Sequence, residues 1–164
     1  MLDAFNSAAP DELRAPLRAC CAADSWIEAM IGGRPYTSEA TLADASDTAT
    51  AALGDIALGQ ALAGHPRIGE RVHAGGWSNE EQAGVADADL DVCARLAAAN
   101  AAYELRFGHV YLVCATGRSA QELLSICLAR LDNSPHVERG VVLGELAKIN
   151  RLRLTKLLHP EFAR

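Results

Sequence analysis

The stretch that decides the fold is "HVERGVVLGELAKINRLRLTKLL", residues 136 to 158. Its apolar side chains recur at helical spacing, at Val142, Leu146, Ile149 and Leu157. Because residues three and four apart lie on one face of an α-helix, this spacing predicts a long helix from about His136 to Leu158. One charged residue, Arg153, falls on the same apolar face.

Most of the remaining chain is also predicted to be helical, because alanine and leucine are abundant and aromatic residues are few. Ser78 with Glu81, and Ser119 with Glu122, have the spacing of a capping box, which marks a helix start. The predicted helical stretches begin with two short helices between residues 7 and 31, with Ser7 near a start and Asp24 capping the second. Longer stretches follow at 37–63, at 78–107 as one helix or as a helix and its continuation, and at 119–131.

Turn-forming sequences separate these stretches. "GGRPY" (32–36) and "DNSP" (132–135) disfavour continued helix. "VYLVCA" (110–115) has the composition of a strand but no evident partner, so we interpret it as extended chain or a helix start. The sequence thus predicts six to eight helices in an all-α fold. We expect a single compact multi-helix domain over residues 1–164, with a polar active-site loop between helices.

Composition and charge exclude several classes of protein. The net charge of −6 is not that of a nucleic-acid-binding or anionic-membrane-binding domain. No apolar run reaches the 18 or so residues of a membrane span, and the N-terminus is too acidic for a signal peptide. The five cysteines are odd in number and lack CxxC spacing, which indicates reduced thiols. We expect a cytoplasmic protein without nucleic-acid or membrane partners.

A polar insert, "AGHPRIGERVHAGGWSNEEQ" (63–82), interrupts the helical pattern. His65 precedes Pro66, so its backbone is biased to be extended and its ring projects from a helix end. It is either a surface histidine or a positioned acid–base group. A helix start at Ser78 offers free N–H groups to a substrate carboxylate or carbonyl, although Ser78 and Glu81 could serve only as a cap. Gln82 is not needed for capping, and its amide could bind a polar ligand.

Arg153 is the second anomaly. A guanidinium on a buried face needs an anion or several carbonyl acceptors, so its partner is either a protein carboxylate or an anionic ligand. Gly117, in "CATGRS", allows the backbone to approach a ligand closely. A metal site is disfavoured because the sequence has no HExxH or His-x-His motif.

Four motifs together resemble one family: "GHPRIG" (64–69), "SNEEQ" (78–82), "FGHVYLVCATGRSAQELL" (107–124) and "RLRL" (151–154). The chain is similar to the OHCU decarboxylases of ureide metabolism, where OHCU is 2-oxo-4-hydroxy-4-carboxy-5-ureidoimidazoline. The resemblance implies an all-helical homodimeric enzyme, without a cofactor or metal, for the third step from urate to (S)-allantoin.

The resemblance also implies roles for individual residues. The catalytic residues of the family fall on His65, Glu81 and Arg153. Its substrate contacts fall on Pro66, on the stretch from Ser78 to Gln82, and on residues 113–117, which include Val113 and Gly117. Tyr111 stands where the family often has phenylalanine.

Two other functions stay open from the residues alone. One is a different cofactor-free lyase or isomerase that acts on a related cyclic ureide. The other is a non-catalytic helical binding module, in which Arg153 pairs with an internal carboxylate and Ser78 with Glu81 only caps a helix. Loss of turnover on replacing His65 would separate the enzymes from the binding module.

Overall fold

A computed structural model describes residues 1–69, 82 and 89–159, and eight α-helices make up its regular structure. In chain order the helices are α1 (Leu2–Ser7), α2 (Pro10–Cys20), α3 (Asp24–Gly32), α4 (Glu39–Ala51), α5 (Asp55–Ala63), α6 (Leu90–Phe107), α7 (Ala120–Arg130) and α8 (Pro135–Leu158). The described residues contain no strand, so the predicted all-α fold is confirmed. None of these helices is both long and apolar enough to cross a membrane.

The long C-terminal helix and the capping box at Ser119 agree with the sequence prediction. The Ser119 hydroxyl accepts from the Glu122 N–H at 3.3 Å, and the Glu122 carboxylate accepts from the Ser119 N–H at 2.8 Å. Each of the two side chains therefore accepts a hydrogen bond from the backbone N–H of the other residue, as in a capping box.

Three predicted helix boundaries were wrong. The stretch 37–63 is two helices, since the chain leaves helical structure after Ala51 and Gly54 caps the start of α5. Ser7 ends α1 instead of starting a helix, and Asp24 is the first residue of α3, whose cap is Ala23. The predicted helix start at residue 78 lies outside the described residues.

The chain divides into two compact units, Met1–Gly64 with Leu146–Arg164, and His65–Glu145. In the first unit, α3 packs against α2, α4 and α5. Its fully buried Trp26 donates from the indole N–H to the Ser46 carbonyl at 3.3 Å, and Asn150 donates to the Thr50 hydroxyl at 3.1 Å. A large aromatic ring and paired polar groups thus fill this core.

In the second unit, α6 packs along α7. Leucines of both helices, Leu96, Leu123 and Leu124, form a buried cluster with Ile68 and with side chains of the chain between the helices. The described chain around Ile68 and the chain that follows α6 are therefore both anchored to the same helix pair. These two irregular stretches contain most of the described residues that the sequence singled out.

Candidate active site

The first irregular stretch is the loop His65–Gly69, which follows α5. His65 and Pro66 are half-buried, and Nε2 of His65 is shielded from solvent. Ile68 is buried in the hydrophobic cluster of the second unit, and its carbonyl accepts a hydrogen bond from the buried Asn100 side chain at 2.8 Å. Gly69 has a φ of 89°, a conformation that favours glycine. His65 is thus held on a loop whose other end is fastened to α6.

Two further contacts hold this loop. Arg67 forms a bidentate ion pair with Glu104 of α6, at 2.6 Å for Nε to Oε1 and 2.9 Å for Nη2 to Oε2. The hydrogen bonds from Arg67 lower the pKa of the Glu104 carboxyl below its usual value. Gln82 accepts from the Gly69 N–H at 2.8 Å and donates to the Arg67 carbonyl at 3.4 Å. The amide predicted to bind a ligand is therefore engaged with the loop in this structure, and its ligand role stays a prediction.

A cavity of about 330 Å³ lies beside the loop. Arg67, Gly69, Cys93, Asn100 and Glu104 are among the residues that line it. Its volume is within the range of small-molecule sites.

The predicted site residues Ser78 and Glu81 lie outside the described residues. No group of three or more metal-ligating side chains occurs in the described parts of the chain.

The second irregular stretch is the 110–117 segment between α6 and α7. Its predicted site residues Tyr111 and Val113 are buried, whereas Gly117 is exposed. The Tyr111 hydroxyl donates to the Leu123 carbonyl at 3.0 Å, and burial raises the pKa of Tyr111 well above its ordinary value. Gly117 has a φ of 77°, a conformation that favours glycine.

Side chains bind the backbone of this segment. Arg130 of α7 donates from Nη1 to the Leu112 carbonyl at 2.8 Å. The carboxylate of Glu145, on α8, accepts from the Cys114 N–H at 2.8 Å, and Arg118 donates to the Cys114 carbonyl at 3.2 Å. These three residues were not among the predicted site residues.

Arg130 belongs to a buried charged cluster with Glu138 and Tyr103. Only 6% of Arg130 and 1% of Glu138 are exposed. Arg130 donates to the Glu138 carboxylate at 2.8 Å from Nε and 2.5 Å from Nη2. The Tyr103 hydroxyl donates to the same carboxylate, and Asn133 donates to its second oxygen at 2.7 Å. Every member of this ionic cluster thus has a hydrogen-bonded partner, as burial of charge demands.

The helical phase of α7 could have revealed Arg130. Its buried residues are Ala120, Leu123, Leu124, Cys127 and Arg130, so the arginine continues the apolar face at a spacing of three. This is the signal that singled out Arg153 on the last helix.

Arg153 belongs to the first unit and is 5% exposed, so its predicted burial is confirmed. Its Nη1 donates to the carbonyl of Ala19 at 3.5 Å and of Cys20 at 3.3 Å, the last two residues of α2. Carbonyl groups at a helix C-terminus lack helical partners and carry partial negative charge, which favours a nearby cation. Arg153 therefore has carbonyl acceptors of the kind that its burial requires.

Comparison with known proteins gives consistent matches. The sequence profile of the family described as OHCU decarboxylase matches residues 6–155. The 2-oxo-4-hydroxy-4-carboxy-5-ureidoimidazoline decarboxylase of Amia calva is 30% identical over 136 residues, which cover 79% of this chain and 78% of that protein. The uric acid degradation bifunctional protein TTL of Arabidopsis thaliana is 27% identical over 85% of this chain, which spans only 45% of that relative's length.

A solved structure resembles this fold. A crystal structure of OHCU decarboxylase in the presence of (S)-allantoin superposes with a TM-score of 0.76 at 26% sequence identity. The match covers 92% of this chain and 98% of that one. The likeness therefore extends over almost all of both chains.

Proposed function

This chain belongs to the OHCU decarboxylase family, and on that premise we propose that it converts OHCU to (S)-allantoin and carbon dioxide. The reaction is the third step of urate degradation, and the enzyme is a carboxy-lyase. The observation that carries the proposal is the family match over residues 6–155, together with a fold that matches a decarboxylase structure across 98% of its chain.

The chemistry of the substrate requires little from the protein. The carboxylate and a hydroxyl group share one ring carbon, which lies next to a C=N bond. When the bond to the carboxylate breaks, its electron pair forms a C=C bond with the imine carbon, and the imine nitrogen takes a proton. The resulting enol becomes the carbonyl of allantoin when the former imine carbon is protonated. The substrate thus contains its own electron acceptor.

We assign the roles of individual residues on the same premise. Arg153 binds an anionic or carbonyl edge of the substrate, for which a guanidinium has a suitable planar geometry. His65 interacts with the hydroxyl or carboxylate group and assists proton delivery, since imidazole titrates near neutral pH. Glu81 fixes a ring or ureido N–H, and Ser78 and Gln82 orient the ring. Pro66 and residues 111–117 contribute to the walls of the site.

Several further features are part of the proposal. We propose that residues 1–164 act as one catalytic domain, as a homodimer and without a cofactor, as the family resemblance implies. We also propose a cytoplasmic location, which is supported by five cysteines that form no disulfide in the structure. Sedimentation velocity of the purified chain would test the homodimer, and fractionation of cells would test the cytoplasmic location.

The stereochemistry of the product tests the central proposal. Freshly generated OHCU decays without an enzyme to both enantiomers of allantoin. The purified chain should accelerate the loss of OHCU and produce mainly (S)-allantoin, which circular dichroism detects directly. If the product is racemic and OHCU is lost at the uncatalysed rate, the proposed function is wrong.

A further inference from the structure

The 110–117 segment needs external hydrogen-bond partners. Residues 110–115 are neither helix nor strand, yet Tyr111, Leu112 and Val113 are between 2% and 4% exposed. Buried backbone N–H and C=O groups are costly unless they are paired, and here no neighbouring strand supplies the pairs within the described chain. Side chains of the surrounding helices supply these hydrogen bonds instead.

Two charged side chains bind the backbone on either side of Val113. The Leu112 carbonyl before it accepts from Arg130 at 2.8 Å, and the Cys114 N–H after it donates to Glu145 at 2.8 Å. Both are charge-assisted hydrogen bonds, which are stronger than those between neutral groups. The main chain at Val113 is therefore fixed from α7 on one side and from α8 on the other.

Arg130 is itself held rigidly. Its guanidinium carbon lies 5.5 Å from the ring centre of Tyr103 and 5.0 Å from that of Tyr111, and its Nε donates to the Glu138 carboxylate at 2.8 Å. Burial lowers the pKa of Arg130, but the bonds to Glu138 and Tyr103 outweigh it and raise the pKa above its ordinary value. The donor to Leu112 thus stays charged and cannot change position without disrupting the whole cluster.

We propose that Arg130 and Glu145 are positioning residues for the reaction: they fix the backbone around Val113, and so the 113–117 stretch, in its substrate-binding geometry. The inference rests on the proposed function, which places substrate contacts in that stretch. Neither residue needs to touch the substrate. By holding the backbone in place, each one keeps the groups that do touch the substrate in the geometry that binds it. A segment held by two charges is preorganised before the substrate arrives.

Glu145 is the better residue to test, since it is only half-buried. Glu145→Met keeps the length of the side chain but removes the acceptor for the Cys114 N–H. Glu145→Gln is the matched control, because its amide oxygen can still accept that hydrogen bond. Arg130→Lys is a second test: it keeps the charge beside Glu138, but a single ammonium cannot reproduce the fork that also reaches the Leu112 carbonyl.

Two measurements are made on each variant. Hydrogen–deuterium exchange of the peptide that covers residues 112–117 reports on the segment itself and does not depend on activity. Steady-state kinetics with OHCU, corrected for the folded fraction, report on the reaction. For Glu145→Met and Arg130→Lys we expect faster exchange and a KM raised by about tenfold or more, with a smaller change in kcat, because a binding surface is disordered. Glu145→Gln should lie much closer to the parent than Glu145→Met does in both measurements, because it keeps the acceptor and loses only the charge.

The outcomes separate this inference from the proposed function. If the parent chain turns over OHCU but Glu145→Met and Arg130→Lys exchange faster with unchanged KM and kcat, the two residues are structural only and the inference is wrong. Unchanged exchange in both variants would also overturn it. If Glu145→Gln is as impaired as Glu145→Met, the hydrogen bond to Cys114 is not the cause. A parent with no turnover refutes the proposed function, and the role in catalysis with it.

Discussion

The His65–Gly69 loop and the 110–117 segment are the two irregular stretches of the second unit, and they differ in how they are held. The loop is fastened by Asn100, by Gln82 and by an ion pair between Arg67 and Glu104 whose side chains are 49% and 25% exposed. The segment is fastened by a buried pair, Arg130 and Glu138, whose side chains are 7% and 1% exposed. The charged contact of the loop thus lies at the surface, and that of the segment lies in the core.

The energies differ accordingly. An exposed ion pair contributes about 0.2–1 kcal/mol, since water screens it and ordering two long side chains costs entropy. Removing one partner of a buried pair costs about 3–5 kcal/mol, because a charge is left without compensation. We infer that the charged contact contributes much to the rigidity of the segment and little to that of the loop, which depends more on the buried Ile68 side chain and on its hydrogen bond with Asn100.

The largest expected effect is that of Arg130→Met. It should lower the free energy of unfolding by about 3–5 kcal/mol, because Glu138 would remain buried without its cation. Arg67→Met, the matched change in the loop, should cost about 1 kcal/mol or less. Urea denaturation of both variants beside the parent measures the difference. Equal losses in the two variants would contradict the distinction between the two stretches.

The next effect concerns activity. His65→Asn should lower kcat by about 100-fold or more, equivalent to about 2.7 kcal/mol in the barrier, as expected for loss of an acid–base group. The melting temperature should stay within a few degrees. His109→Asn is the control: His109 borders the 110–117 segment, where Nδ1 lies 3.0 Å from the Val110 carbonyl. We expect its kcat to stay within about threefold of the parent, since no acid–base role falls on it.

If His65→Asn keeps a kcat close to that of the parent, His65 is not the acid–base group of the reaction. A large loss in His109→Asn would instead place chemistry at the segment. Either result would reverse the division of roles between the two stretches.

The sequence predicts the helices of this chain better than their ends. Helical phase identified α8 with an error of one residue at its start, and the Ser119 capping box identified α7. The break between α4 and α5 was missed because the alanine-rich sequence around it favours helix, and only Gly54 followed by Asp55 marks the new start. Local propensity therefore gives the existence of a helix more reliably than its boundary.

The same limit applies to the candidate site. The burial of Arg153 followed from its phase on one helix, and that of Arg130 could have been predicted in the same way. The partner of Arg130 could not be predicted in this way. Glu138 lies in the first turn of α8, where an acidic residue is ordinarily explained by the helix dipole. Pairing between helices is a tertiary property, and a single sequence does not contain the contact that decides it.

The smallest expected effect is a dependence of stability on pH that arises from the loop. The hydrogen bonds from Arg67 lower the pKa of Glu104 below 4.5 in the folded protein. Since the folded state favours the ionised carboxylate, the stabilisation is fully present above the ordinary pKa and is lost as the pH falls through the lower, folded value.

Glu104→Gln removes this titration and keeps the shape of the side chain. The free energy of unfolding of the parent should exceed that of the variant by less than about 1 kcal/mol at neutral pH, because half of Arg67 is exposed. That difference should stay constant down to about pH 5 and shrink towards zero as Glu104 protonates, and added salt should reduce it at neutral pH. Urea denaturation from pH 7 to pH 3 at low and high salt measures both trends. A difference of several kcal/mol that persists at pH 3 would contradict this prediction, because the ion pair with Arg67 could then not be the cause of the difference.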